Sequence, residues 1–155
     1  QQPASLREES QAAMADVSQA TLRLEVVTPS RLVVSEEITE LVAPGSEGYF
    51  GVLPGHLPFI TTLKMGELTF WAGREEHHLA ISKGYAEVRG DTVSILADSA
   101  ERAEEIDVTR AERARQRAEE RLREWAAGKE EIDAARAETA LHRALARMEV
   151  ARKRR

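Results

Sequence analysis

Cysteine is absent from the 155 residues, which excludes disulfides, thiolate metal sites and cysteine nucleophiles and fits a reducing compartment. Aromatic side chains make up only 5% of the chain, too few to give a nucleic-acid module its stacking surface. No apolar run approaches the ~20 residues needed to cross a bilayer, so no membrane-spanning helix is expected. Glycine and proline are sparse too, and half of them crowd between Pro44 and Pro58. After Asp98 glycine falls to the single Gly128. Such uneven use points to two regions built by different rules, and the length allows one ordinary domain or two small ones.

The glycine-rich stretch Gly45-Ser46-Glu47-Gly48-Tyr49-Phe50-Gly51-Val52-Leu53-Pro54-Gly55-His56 is no spacer. A flexible linker would be filled with Ser and Gly and would lack Phe50, Val52, Leu53 and Phe59, which need a core. It reads as a surface loop held in one shape, the kind that meets a partner.

From Thr21 to Ala97, short runs rich in Val, Ile, Leu and Thr alternate with Gly, Pro and Asp, the spacing of an all-β sandwich or barrel. Leu22, Leu24 and Val26 alternate with polar neighbours. Further runs follow at Leu32–Val34, Ile38–Val42, Phe59–Leu63, Leu68–Trp71, Leu79–Ser82, Ala86–Arg89 and Val93–Ala97, with Gly90-Asp91 as a tight turn between the last two. Beyond Asp98 the apolar period becomes helical. Val108, Ala111, Ala114, Ala118, Leu122 and Trp125 form one stripe, which Gly128 can cap, with Trp125 as a packing anchor near the turn. Ala137, Leu141, Ala144, Leu145 and Met148 form a second stripe, and the short connection predicts an antiparallel helical hairpin. Each helix opens on Ile-Asp-x-x-Arg-Ala, at Ile106 and Ile132, where the aspartate suits an N-cap.

The expected fold is therefore α+β, an N-terminal β-sandwich of about eight to ten short strands over residues 14–100 followed by a two-helix hairpin over 101–155. Gln1 to Ala13, ahead of Met14, lack periodicity and read as a leader either foreign to the native chain or disordered. Most seam positions are alanine, and at ~25 cal/mol per Å² such a seam contributes only a few kcal/mol. A hairpin held that weakly can exchange one placement for another.

Charge follows the same division. Residues 1–100 carry seven basic and fourteen acidic side chains, whereas those from 101 onward carry fifteen and thirteen. From Ala134 on there are seven basic residues, and only Glu138 and Glu149 oppose them. Arg136, Arg143, Arg147 and Arg154 step by 7, 4 and 7, one helical face of guanidinium groups that seeks an acidic partner.

Three segments in this order carry a resemblance: the loop Gly45 to Pro58, the run Ser82-Lys83-Gly84-Tyr85-Ala86-Glu87-Val88, and Leu96-Ala97-Asp98 followed by Ile106-Asp107-x-x-Arg-Ala. Together they resemble the epsilon subunit of bacterial proton-translocating ATP synthase, over roughly Thr21 to Arg152. The resemblance implies a non-catalytic subunit at the foot of the central stalk, bound to the gamma subunit and the membrane ring of c subunits. It implies a peripheral place at the cytoplasmic face of the bacterial inner membrane. By the same likeness Glu47, Gly48 and Tyr49 face the ring, with His56 nearer gamma.

The family's hairpin has two states, folded on the sandwich or extended along gamma into the catalytic head of alpha and beta subunits. There the basic face, here Arg136, Arg143, Arg147 and Arg154, blocks ATP hydrolysis. In some members the folded hairpin binds ATP as a regulatory ligand, at positions matching Glu101, Asp107, Arg110, Arg117, Arg143 and Arg147. No cofactor is required.

Other constellations imply less. His77-His78 reads as part of a surface turn, since neighbours in a strand point to opposite faces and no third metal ligand is in view. The glycine-rich loop lacks the Gly-Lys-Ser or Gly-Lys-Thr ending of a phosphate loop, and Ser82 has no base, so neither a catalytic residue nor a metal site is expected. The alternative reading is a stand-alone nucleotide-sensing or protein-interaction module, which would leave the Gly45 to Pro58 loop idle.

Overall fold

The computed structural model describes residues 20–154; the leader over 1–13 and the start at Met14 lie outside the described residues. Ten strands form one hydrogen-bonded sheet: β1 (Leu22–Val27), β2 (Leu32–Ile38), β3 (Glu40–Gly45), β4 (Gly48–Val52), β5 (Phe59–Leu63), β6 (Gly66–Ala72), β7 (Glu75–Ile81), β8 (Gly84–Arg89), β9 (Thr92–Ala97) and β10 (Ala100–Arg102). Their order across the sheet is β10-β7-β6-β3-β5-β8-β9-β1-β2, with β4 added to β3. Only β1 and β9 run parallel. The sheet folds over on itself. Inward-facing residues from both halves, among them Leu24, Ile38, Leu41, Phe70, Leu79 and Ile95, meet in a single core without residual exposure.

Closure brings the two edge strands together. Arg102 of β10 lies 3.5 Å from Glu36 of β2, and Arg31, just ahead of β2, donates to the Ala100 carbonyl at 3.4 Å and to Glu105 at 2.5 Å. Side chains bridge the edges where backbone pairing stops, which protects both from adding foreign strands. Gly84 is imposed by packing, because a Cβ there would sit 1.9 Å from the Leu96 carbonyl oxygen of β9.

Two expectations about strands change. The run Ile38–Val42 is not one strand, because Thr39 turns a corner between β2 and β3 and satisfies its amide and hydroxyl on the Trp71 carbonyl, at 2.7 and 3.0 Å. The glycine-rich stretch is also not all loop. Its first part is the β3–β4 hairpin, with Pro44 opposite Tyr49 and Ala43 opposite Phe50, and only Leu53 to Pro58 is irregular.

A 3₁₀ turn over Ala103–Glu105 leads into α1 (Val108–Ala126) and α2 (Ala134–Ala151). Both repeated aspartates act as N-caps: Asp107 accepts from the Arg110 amide at 3.0 Å and Asp133 from the Arg136 amide at 3.1 Å. Gly128 ends α1 at φ 99°, with its amide on the Trp125 carbonyl at 2.9 Å and that of Lys129 on Glu124 at 3.1 Å. This paired closure needs a left-handed residue where Gly128 sits. The helical stripes are buried only in part. Ala111, Ala118, Ala137 and Ala144 fill the seam, while Val108, Leu145 and Trp125 stay 44%, 45% and 51% exposed. Trp125 is therefore not a packing anchor: the alanine seam is too narrow near the turn to take an indole.

Candidate functional site

Alanines at the seam let α1 and α2 approach closely, and the long side chains beside the seam must then point along its flanks. On the flank facing the sandwich these side chains are arginines. Arg117 and Arg121 of α1 and Arg136, Arg143 and Arg147 of α2 line a groove of about 430 Å³, with Ala114, Ala118, Ala137, Ala140 and Ala144 in its floor. Two carboxylates of α1 are engaged away from them. Glu112 and Glu119 grip Arg115 instead, Glu119 at 2.7 Å, and these two carboxylates hold Arg115 above the usual guanidinium range.

Toward the sandwich this groove opens into a larger cavity of about 1110 Å³. Five of the six residues matched to the nucleotide set of the family line it: Glu101, Arg110, Arg117, Arg143 and Arg147. Ser82, Lys83 and Ser99 add donors from the sandwich side. The sixth, Asp107, does not line it; its carboxylate is committed to the α1 cap. Among the described residues, Arg117 and Arg143 have no carboxylate within ion-pair distance, so unneutralised positive charge faces a space with room for a phosphate-bearing ligand.

Arg147 is different. Its Nη2 donates to Glu101 Oε2 at 3.0 Å, while its buried Nε lies 2.9 Å from Oε1 without hydrogen-bond geometry, an ion pair joining α2 to β10. Glu138 and Glu149 are thus not the only carboxylates open to the basic face, because the sandwich supplies Glu101. Arg154 is also engaged, donating through Nη2 to the Ile106 carbonyl at 2.6 Å. Of the basic-face residues, Arg136 and Arg143 share the groove with Arg147, and Arg154 lies beyond it at the end of α2.

These contacts belong to a latch that the sequence did not announce. Val150 and Ala151 at the end of α2 pack with Ala80 of β7, Ala103 and Ile106 in a small apolar cluster. Beside it Lys153 Nζ donates to both oxygens of Glu67 in β6 at 2.8 Å. The Glu67 hydrogen bond, then its charge, holds the Lys153 ammonium above its ordinary range against some desolvation. Glu67 Oε1 also lies 2.6 Å from His78 Nδ1, and His78 Nε2 is 3.1 Å from Glu76. His77 and His78 are accordingly not in a turn: both sit in β7, His77 stacked on Phe70 at 4.8 Å and His78 facing Glu67 and Thr69. No group of three or more metal-ligating residues occurs among the described residues. Glu67 and Lys153 are 86 residues apart, and no local signal links them.

At the β3–β4 hairpin Glu47 and Gly48 occupy the exposed tip and Tyr49 is 59% exposed. The Tyr49 hydroxyl accepts from the Glu67 amide at 3.5 Å, which ties the tip to β6. His56 lies in the following irregular segment, tilted against Phe59 at 5.1 Å between ring centres. Glu47, Gly48 and Tyr49 thus share the hairpin, and His56 lies outside it in the segment that follows β4.

An exposed apolar stripe escaped the sequence reading. On the outer face of the sheet Tyr85 of β8 pairs in register with Leu96 of β9, which pairs with Val27 of β1, and Ile60 of β5 lies diagonal to Tyr85. Ile60, Tyr85 and Leu96 are 70%, 58% and 53% exposed. A faint signal existed, because Ile95-Leu96-Ala97 and Phe59-Ile60 put apolar residues in both phases of the alternation.

Comparison with known proteins covers both regions. The family model for the ATP synthase delta/epsilon chain β-sandwich domain matches residues 21–103, and that for the delta/epsilon chain long α-helix domain matches residues 104–152. The chain is 52% identical over 102 residues to an ATP synthase epsilon chain of Nitratidesulfovibrio vulgaris, covering 66% of this chain and 76% of that one. It is 55% identical over 103 residues to that of Syntrophobacter fumaroxidans, with 66% and 77% covered. Among solved structures, a chain of the Euglena gracilis mitochondrial ATP synthase, resolved with OSCP, F1 and c-ring, matches at a TM-score of 0.69 and 25% identity over 79% of this chain and 76% of its own. A chain of the Tetrahymena thermophila mitochondrial ATP synthase central stalk and c-ring shares the fold at a TM-score of 0.51 and 13% identity, covering 85% and 94%.

Proposed function

The chain belongs to the ATP synthase delta/epsilon chain family, and we propose that it serves the central stalk as a non-catalytic coupling and regulatory subunit whose hairpin moves between two placements. One observation carries the reading: the hairpin is held to the sandwich by a small apolar cluster and a few polar ties, while Arg117, Arg121, Arg136 and Arg143 of its groove have no carboxylate within ion-pair distance among the described residues. An element of this kind can be released by a competitor of similar energy and can then present its charge to an acidic surface.

In the proposed assembly the sandwich is the fixed part. The outer stripe of Ile60, Tyr85 and Leu96 supplies the apolar area for gamma, since exposed contiguous apolar surface marks an interaction site. The tip at Glu47, Gly48 and Tyr49 reaches the c-ring, and His56 lies toward gamma. No helix among the described residues is long and apolar enough to cross a membrane, so attachment at the cytoplasmic face of the bacterial membrane is assigned to these partner contacts.

The hairpin is the movable part. Extended, it carries Arg136, Arg143, Arg147 and Arg154 to acidic segments of the catalytic head and blocks ATP hydrolysis. Folded, it takes ATP as a regulatory ligand in the cavity lined by Glu101, Arg110, Arg117, Arg143 and Arg147, with Asp107 fixing the first turn of α1. Binding to the folded form alone would favour that form by mass action and relieve inhibition.

The test is the ATP hydrolysis rate of a catalytic head reassembled with the full chain or with Arg136→Ala and Arg143→Ala together. Neither side chain forms an ion pair or hydrogen bond of the latch, so the variant should hydrolyse faster without altered capture by gamma. Equal rates would reject inhibition by this face. Tyr85→Asp should in turn abolish capture by gamma.

A further inference from the structure

Five arginines are more than a triphosphate requires, and two of them lie outside the set matched to nucleotide. Arg121 and Arg136 sit at the far end of the groove from the sandwich, on the same alanine-floored flank as Arg117 and Arg143. None of these four has a carboxylate within ion-pair distance among the described residues, although the chain as a whole is acidic. From Arg147 back to Arg136 is eleven residues of α2, roughly 16 Å at 1.5 Å per residue. Four unpaired guanidinium groups facing one channel repel one another, and that arrangement is stabilised by an anion running along the channel.

The channel also limits what that anion can be. Its floor is Ala114, Ala118, Ala137, Ala140 and Ala144, with no large apolar pocket to seat a peptide side chain and no aromatic ring to stack on a base. Its outer end runs into a small hollow where Glu131 and Asp133 join Arg121 and Arg136. Asp133 is committed to the α2 cap, and among the described residues neither carboxylate lies within ion-pair distance of Arg121 or Arg136; their charge would stop an anionic chain there.

We propose that this groove binds a linear polyphosphate longer than a triphosphate, with Arg121 and Arg136 holding the phosphates beyond those that Arg117, Arg143 and Arg147 reach. The inference rests on the folded-hairpin phosphate site of the preceding section and extends its ligand class. By occupying the seam flank, such a chain favours the folded hairpin as a competitor of ATP.

The test is calorimetric titration of the full chain at fixed salt with inorganic tripolyphosphate, medium-chain linear polyphosphate and ATP. The longer chain should bind at least roughly tenfold tighter than tripolyphosphate, the increment expected of one or two added charged contacts. Arg121→Gln with Arg136→Gln should erase that preference and leave tripolyphosphate and ATP within about twofold. The control Arg113→Gln with Arg123→Gln removes equal charge from outside the groove and should keep it, which separates a site from general attraction. Equal affinity for the two chain lengths, loss of the preference in the control, or tighter binding of poly-glutamate than of polyphosphate would overturn the proposal. Failure of ATP alone to bind, with the chain-length preference and its dependence on Arg121 and Arg136 intact, would reject the nucleotide reading and uphold this one.

Discussion

The sandwich fully buries Phe70, Leu22, Leu24, Ile38, Leu41 and Leu68, whereas the buried side chains of the two helices are Ala111, Ala118, Ala137, Ala144, Val150 and Ala151. A buried Leu or Phe contributes about 1.5–3 kcal/mol, and an alanine far less. The strands also depend on one another for backbone hydrogen bonds, whereas each helix satisfies its own. Removing the hairpin therefore leaves every strand pairing intact, but removing any central strand would not. A chain that must hold a fixed shape against partners and still move one element does so by putting its large apolar residues in the fixed part only.

The largest effect should come from Phe70→Ala, which opens a void in the sandwich core and costs about 3–5 kcal/mol. Urea unfolding followed by Trp71, which sits on β6, should register the loss directly. The hairpin should fall with it, since the cluster around Val150 leans on Ala80 of β7. If helical circular dichroism outlasted the Trp71 signal, the dependence of hairpin on sandwich would be the reverse of that argued.

Next in size is Ala144→Leu, which overfills a seam position 1% exposed and costs about 1–3 kcal/mol. The effect should be confined to the hairpin. In a Trp125→Phe background, Trp71 alone reports the sandwich, and its transition should stay in place while the helical signal melts earlier. A joint shift of both would show a single cooperative unit. In the same terms, deleting Asp107 to Arg155 should leave a folded sandwich that still binds gamma.

A smaller change is expected of Glu101→Ala, which leaves Arg147 without its partner. Partly exposed pairs of this kind contribute up to about 1 kcal/mol. Earlier melting of the helical signal alone measures the contribution of the contact to the latch; no change would assign the latch to the Val150 cluster and Lys153.

The weakest effect concerns alkaline pH. Lys153 has its folded pKa raised above 10.5 by Glu67, so its contribution is complete below that value and disappears as pH climbs through the folded pKa. Hairpin melting should therefore be flat with respect to this group at neutral pH and decline above about 10.5. Lys153→Met should remove that decline and lower the plateau; an undiminished alkaline decline would place its cause elsewhere.

Much of this could be read along the chain because it depends on neighbours in sequence. Asp107 and Asp133 cap because a carboxylate three residues ahead of an amide reaches it in any helix start, and Gly128 stops α1 through its own backbone freedom. The shift from a period of two to one of 3.6 near Asp98 separates β1 to β9 from the helices for the same local reason, but β10 lies beyond it. The common flank of Arg136, Arg143 and Arg147 followed from spacing, whereas Arg154, one step further in the same series, lies past the end of α2 on the Ile106 carbonyl.

What lay out of reach was anything that depended on folding the sheet over and laying the hairpin on it. Tyr85, Leu96 and Ile60 become one exposed stripe only through the register of β5, β8, β9 and β1. Lys153 finds Glu67, and Arg147 finds Glu101, across 86 and 46 residues, distances over which residue spacing carries no directional information. Trp125 is exposed for a like reason: helical phase says which way a side chain points, but whether anything stands there to cover it depends on how closely two alanine-faced helices come together.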